Sequence, residues 1–177
     1  MLAAFLPNVT AEALAGHAGV AAGLLLALLA LRRLPLLFAL FLWPGTLAHE
    51  LAHYLAGLLL GARPVALDVW PRRVGGGRWQ LGEVRFARLR WWNKAPVGLA
   101  PLALLPLAAG LFWLSLGWPS VSPAGLALSF LAVQFLVAAW PSRQDLLHVV
   151  SALLVLALIV LAIAALRVGW RSLFGVA

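Results

Sequence analysis

Long apolar runs alternate with short polar interruptions along most of this chain, a pattern typical of a bundle of membrane-spanning helices. A transmembrane helix needs about 20 consecutive, mostly apolar residues. We therefore predict five helices, over about 11–31, 35–60, 95–116, 124–140 and 145–166. Pro44 and Gly45 predict a kink inside the second helix, and Pro141 separates the last two because proline disrupts a helix interior. The predicted fold class is an all-α polytopic membrane protein, folded as a single domain over residues 1–177.

The segment over about 62–94 breaks this apolar pattern between the second and third helices. Apolar side chains recur at every second position before and after a run of three glycines, at Val65, Leu67, Val69, Val84 and Phe86. Period-two patterning on both sides of a glycine cluster is typical of two paired strands. We therefore predict a β-hairpin between helices two and three.

Composition supports a membrane location and argues against a nucleic-acid partner. Hydrophobic residues make up 64% of the chain and charged residues 10%, against about 45–50% and about 25% in soluble domains. The excess apolar surface must contact the lipid bilayer. The net charge is +8, but most basic residues flank apolar runs, where they set orientation and contact anionic headgroups. No basic and aromatic recognition module is visible, so we expect no nucleic-acid binding.

The second predicted helix carries a pattern of ionisable residues with a known chemistry. His49, Glu50 and His53 form H-E-x-x-H, and residues four apart share one face of a helix, so both imidazoles can bind one metal ion. The glutamate then lies near the attacking water and can act as its general base. Ionisable residues inside a membrane helix are costly unless they are paired or functional. The pattern therefore predicts a Zn²⁺ site, with thiolate ligands excluded because cysteine is absent.

A catalytic zinc ion needs a third protein ligand, and the chain offers few candidates. Those outside the motif are Glu12, His17, Asp68, Glu83, Asp145 and His148. Asp145 lies at the break between helices four and five, in apolar surroundings, which favours a ligand. The alternative is that Asp145 caps the fifth helix, because an acid is stabilising at a helix N-terminus. Alternating spans would place all four histidines and Asp145 in the half of the membrane nearest the hairpin, so His17 and His148 are possible accessory residues.

These residues resemble the motifs of the site-2 protease family of intramembrane zinc metalloproteases. The resemblance rests on His49, Glu50 and His53 in one membrane helix and on Asp145 in a later, broken one; it covers about residues 35–166. In that family an Asp followed by Gly supplies the third ligand, whereas Leu146 follows Asp145 here. A family element Gly/Ala-Pro-x-x-Asn is similar to residues 100–104, with Leu in place of Asn. The family also commonly has a hairpin after its H-E-x-x-H helix.

The resemblance implies a zinc metalloendopeptidase that cleaves peptide bonds in or near the transmembrane segments of other membrane proteins. His49, His53 and Asp145 would hold the zinc ion, and Glu50 would act as the catalytic base. The alternative is a non-catalytic membrane zinc sensor or pseudoprotease that keeps the ligands without turnover. Retention of Glu50 favours the enzyme, because metal binding alone does not need a base at that position.

The distribution of positive charge predicts the orientation in the membrane. Eight of the 13 basic residues fall within 62–94, and basic segments close to membrane helices favour the cytoplasmic side. Arg32 and Arg33 close the first helix at the end that alternating spans place on the opposite side, so they count against this orientation. We expect a multi-pass protein of a prokaryotic cell membrane, with its hairpin and active site toward the cytoplasm.

Overall fold

The computed structural model describes residues 9–75 and 78–174, and most of them are helical. The helices are α1 (Ala11–Leu31), α2 (Pro35–Phe41), α3 (Trp43–Leu59), α4 (Trp91–Leu99), α5 (Leu104–Ser115), α6 (Pro123–Ala138) and α7 (Arg143–Phe174), with a 3-10 helix at Ala100–Ala103. The strands are β1 (Pro64–Asp68), β2 (Arg72–Val74), β3 (Arg78–Gln80) and β4 (Glu83–Phe86).

Several of these helices are long and apolar enough to cross a membrane. Three qualify alone, at Ala11–Leu31, Trp91–Ser115 and Arg143–Ile163, and the bent pair formed by α2 and α3 would be a fourth. Helix α6 has 16 residues, short of the roughly 20 that a span requires. The chain is therefore a helical membrane protein, as predicted, whereas the number of five spans stays a prediction.

Both predicted helix interruptions are present, and the first lies slightly earlier than expected. Helices α2 and α3 meet at a 64° bend around Leu42, because Pro44 takes a place in the first turn of α3, where a missing N–H has no cost. Helix α6 ends before Pro141, and α7 begins two residues after it.

The hairpin region consists of two antiparallel ladders, one nested inside the other. Strand β1 pairs with β4, and β2 pairs with β3 nearer the tip. Residues 91–94, which were assigned to the hairpin segment, instead form the first turn of α4. Asn93 explains this, because its side chain accepts a hydrogen bond from the Arg90 N–H at 2.6 Å and caps the helix. Its amide also donates to the carbonyls of Leu60 and Arg88, which joins α3, the hairpin and α4.

Helix packing gives α1 the direction opposite to the one that alternating spans predict. His17, early in α1, contacts the first half of α6 at Ser129. Leu28, late in α1, lies in an apolar cluster with Val133 and Leu42, and Leu81 of the hairpin packs against that cluster. Helices α1 and α6 therefore run in the same direction, and the C-terminal end of α1 approaches the hairpin.

Candidate metal centre

Helix α3 presents the H-E-x-x-H residues on its buried side. His49 and His53 are one helical turn apart, and their Nε2 atoms lie 3.1 Å from each other. The two rings meet edge to face, with centroids 4.7 Å apart. His53 and Glu50 are buried and His49 is nearly so. Two imidazole nitrogens therefore converge in the interior, as the four-residue spacing predicts.

Asp145 comes to the same point from the first turn of α7. Its carboxylate oxygens lie 3.1 Å from the His53 Nε2 and 3.5 Å from the His49 Nε2. In a tetrahedral zinc site with bonds of about 2.0–2.1 Å, neighbouring ligand atoms are about 3.3 Å apart. The spacing of these three side chains thus fits a common metal ion.

Each imidazole has a hydrogen bond on the side away from the cavity, and this bond determines which ring nitrogen carries the hydrogen. The His49 Nδ1–H donates to the Ala138 carbonyl at 2.6 Å, and the His53 Nδ1–H donates to the Val97 carbonyl at 2.7 Å. A carbonyl can only accept, so each Nδ1 carries the hydrogen and each Nε2 of a neutral ring presents a lone pair. This is the usual support for histidine ligands. Two lone pairs and a carboxylate face one another, an arrangement that a cation stabilises.

Asp145 caps α7, and the same carboxylate faces the two histidines. Its carboxylate accepts a hydrogen bond from the Ser142 N–H at 2.7 Å, and its own N–H donates to the Ser142 hydroxyl at 3.2 Å. These reciprocal bonds cap the start of α7 in the manner of a capping box. The cap holds the carboxylate toward the histidines, so the capping position is compatible with a position facing both imidazoles. The buried His49, His53 and Asp145 group can hold a metal ion.

Glu50 and His148 line the cavity beside this group without belonging to it. The cavity measures about 120 Å³, which is room for several water molecules. Glu50 is only 8% exposed, and His148 is partly buried one helical turn after Asp145. The structure therefore places a carboxylate beside the metal-binding group and leaves His148 in an accessory position.

His17 does not share this site, so the prediction of a single cluster of four histidines is wrong. Its Nε2–H donates to the Trp118 carbonyl at 3.0 Å, and its Nδ1 accepts from the Ser129 hydroxyl at 2.9 Å. Ser129 precedes Ala138, the contact of His49, by nine residues of α6, or about 14 Å at 1.5 Å per residue. His17 is fully buried and both ring nitrogens are bonded, so it links α1 to the start of α6.

Two glycines that the sequence analysis did not single out allow the elements of the site to meet. A Cβ on Gly98 of α4 would lie 2.9 Å from the Asp145 carbonyl oxygen, so only glycine lets α7 approach this closely. A Cβ on Gly82, between β3 and β4, would lie 2.6 Å from the Glu50 Cγ and 2.7 Å from its Oε1. No local pattern marks either position, because each contact joins segments distant in sequence.

Gly82→Ala should destabilise the protein through its contact with Glu50. Gly82 does not have a positive φ, so the cost comes from the added methyl group, and overpacking of this kind costs about 1–3 kcal/mol. Thermal unfolding of the purified protein should show the loss. In a Glu50→Ala background the same change should cost much less, because the contacting side chain is gone.

Gly75→Ala is the matched control in the same hairpin. A Cβ there meets no atom of the described residues within 4 Å, and its φ is also not positive, so we expect no loss of stability. An equal loss from Gly82→Ala in both backgrounds would show that the Glu50 contact does not matter.

Comparison with known proteins adds no identification to this geometry. No family model matches the chain, and neither a curated protein nor a solved structure does.

Proposed function

We propose that this protein is an intramembrane zinc metalloprotease, similar to the site-2 proteases, that cleaves membrane proteins in or near their transmembrane segments. One observation carries the proposal: the buried imidazoles of His49 and His53 converge with Asp145, and Glu50 lines the same cavity. A metal-storage site has no need of a buried carboxylate next to its ligands, and Glu50 has no ion-pair partner within residues 9–75 and 78–174. A hydrolase needs a base there.

In this proposal each residue of the site has a separate task. His49, His53 and Asp145 hold the zinc ion, which when bound supplies the Lewis acidity that polarises the scissile carbonyl. Glu50 accepts a proton from the attacking water and delivers it to the leaving amine. The carbonyls of Val97 and Ala138 keep both imidazoles oriented with Nε2 toward the cavity. The hairpin at Gly82 covers Glu50 and limits the access of bulk water. His148 is an accessory residue at the cavity wall.

Removal of the metal should abolish cleavage reversibly. We expect purified protein in lipid nanodiscs to cut a transmembrane test peptide, to stop after treatment with a chelator, and to recover on addition of stoichiometric zinc. The reason is that Glu50 can activate water but cannot polarise the carbonyl by itself. Manganese and iron also accept two imidazoles and a carboxylate, so each is added in parallel. A protein that binds zinc tightly but cuts none of the peptides would be the non-catalytic sensor or pseudoprotease instead.

We further propose a multi-pass arrangement in a prokaryotic cell membrane, with the hairpin toward the cytoplasm. Single-cysteine variants test the orientation cleanly because the chain has no cysteine. In intact bacteria, a membrane-impermeant maleimide should fail to label Gly75→Cys at the hairpin and should label it after permeabilisation. Val121→Cys, in the 78% exposed position between α5 and α6, should show the opposite result. Labelling of Gly75→Cys in intact cells would reverse the orientation.

A further inference from the structure

A second, larger cavity adjoins the metal centre. It measures about 670 Å³, within the range of about 300–1,000 Å³ typical of ligand sites. It shares six lining residues with the smaller cavity: His49, Glu50, Gln80, Gly82, Ser142 and Gln144. The shared residues mark the inner end of this cleft, and the others line its outer part.

The outer part of the cleft has mostly apolar walls drawn from three elements. The α2–α3 bend, the β2–β3 ladder and the end of α6 contribute Leu42, Val74, Trp79, Leu81, Val137 and Trp140. Among the described residues that line this part, Arg143 is the only charged one. The cleft thus has a polar end at the shared residues, beside the metal-binding group, and an apolar outer end.

The chemistry at the inner end determines the form in which a polypeptide can be cut there. In an α-helix the interior carbonyls already accept backbone hydrogen bonds, and the side chains surround the backbone to a diameter of about 10–12 Å. A peptide carbonyl that reaches Glu50, which is only 8% exposed, must therefore come from an unwound segment. In such an extended segment the neighbouring side chain lies in the apolar part of the cleft.

We propose that this cleft binds an extended segment of the substrate and selects a large apolar side chain next to the scissile bond, with Trp79 as the specificity-determining residue. The inference rests on the proposed function. The Trp79 side chain is held in position at the cleft by Arg73. The Arg73 guanidinium lies 5.2 Å from its ring centroid, and the two residues are paired across the β2–β3 ladder. Val137 contributes to the same outer part from α6.

Substrate preference tests the cleft directly. The probes are transmembrane test peptides of about 25 residues that differ only in one residue beside the cut bond, which is Phe, Leu, Ala or Gly. Wild type should cleave the Phe and Leu peptides with a kcat/KM at least about 10-fold above the Gly peptide, as apolar pockets allow.

Val137→Phe fills the cleft and should lower kcat/KM for the Phe and Leu peptides about 10-fold while sparing the Ala peptide. Trp79→Ala should flatten the preference.

Two controls separate the cleft from general damage to the protein. Val150→Phe makes the same change at a 52% exposed position of α7 that does not line the cleft, so it should leave the preference unchanged. Zinc content reports folding of each variant, and if Val137→Phe binds no zinc, Trp79→Ala decides the matter. A preference that is the same in wild type, Val137→Phe and Trp79→Ala overturns the proposal.

Cross-linking distinguishes failure of the cleft from failure of the proposed function. In the Glu50→Gln protein, p-benzoylphenylalanine in place of Val74 should capture the Leu peptide, and the same group in place of Trp92 should not. Capture at position 74 without any cleavage by wild type would retain the cleft and reject the protease. Cleavage by wild type without capture at position 74 would retain the protease and reject the cleft.

Discussion

Glu50→Gln is expected to keep its zinc and lose nearly all cleavage. Glutamine has the size of glutamate, so the packing against Gly82 is preserved, but an amide cannot accept the proton of the attacking water. General base catalysis contributes about 10²–10⁴-fold, and turnover should fall by about that factor. Metal analysis of purified protein and single-turnover cleavage of a transmembrane peptide measure the two properties separately.

Glu83→Gln is the matched control for this prediction. Glu83 also lines the smaller cavity, but its carboxylate is paired with Arg72 and is not available as a base. We expect this variant to keep both zinc and most of its activity. If Glu50→Gln came out without metal, Glu50 would be a ligand, and if it stayed fully active, the base would have to be another residue.

Asp145→Ala is expected to lose both metal and cleavage. It removes one of three ligands and leaves two imidazoles with no carboxylate between them. Loss of even an outer-shell partner lowers metal affinity about 10–100-fold, so loss of a ligand should cost more than about 100-fold. Zinc content after dialysis against a weak chelator measures the effect.

Asp145 also caps α7, so the ligand role must be separated from the cap. Ser142→Ala removes the hydroxyl that accepts from the Asp145 N–H and leaves the carboxylate in place. Loss of such a cap costs about 0.5–2 kcal/mol of stability, and we expect zinc to be retained. His148→Ala should also stay loaded. Should Asp145→Ala remain loaded while His148→Ala is empty, His148 is the third ligand and the assignment of Asp145 is wrong.

Arg32 and Arg33 show how the tertiary structure changes the interpretation of charge. Counting each apolar run as one crossing placed them opposite the hairpin. In the structure α1 runs alongside α6 in the same direction and its last turns approach Leu81 of the hairpin, so both arginines follow the end of α1 nearest the hairpin. They therefore no longer count against a cytoplasmic hairpin.

Local patterns in the sequence were sufficient for the class of protein and the core of the site. Apolar run length predicts membrane helices, period-two alternation predicts the hairpin, and proline marks the interruptions near positions 44 and 141. The pairing of His49 with His53 also follows from sequence alone, because 3.6 residues per turn puts residues four apart on one face. Each of these inferences depends on neighbours within a few positions along the chain.

Only the tertiary structure decided which distant residues join the site. Asp145 and His17 are both candidates from the sequence. Packing of α7 on α4 brings Asp145 to His53. Packing of α1 on α6 leaves His17 at the end of α6 far from His49. The number of membrane crossings does not follow from the number of apolar runs, because α2 and α3 meet at a 64° bend and α6 is short. Gly82, in the turn between β3 and β4, contacts Glu50 of α3. These contacts depend on how helices pack through side chains of many segments, and no periodicity within one segment encodes them.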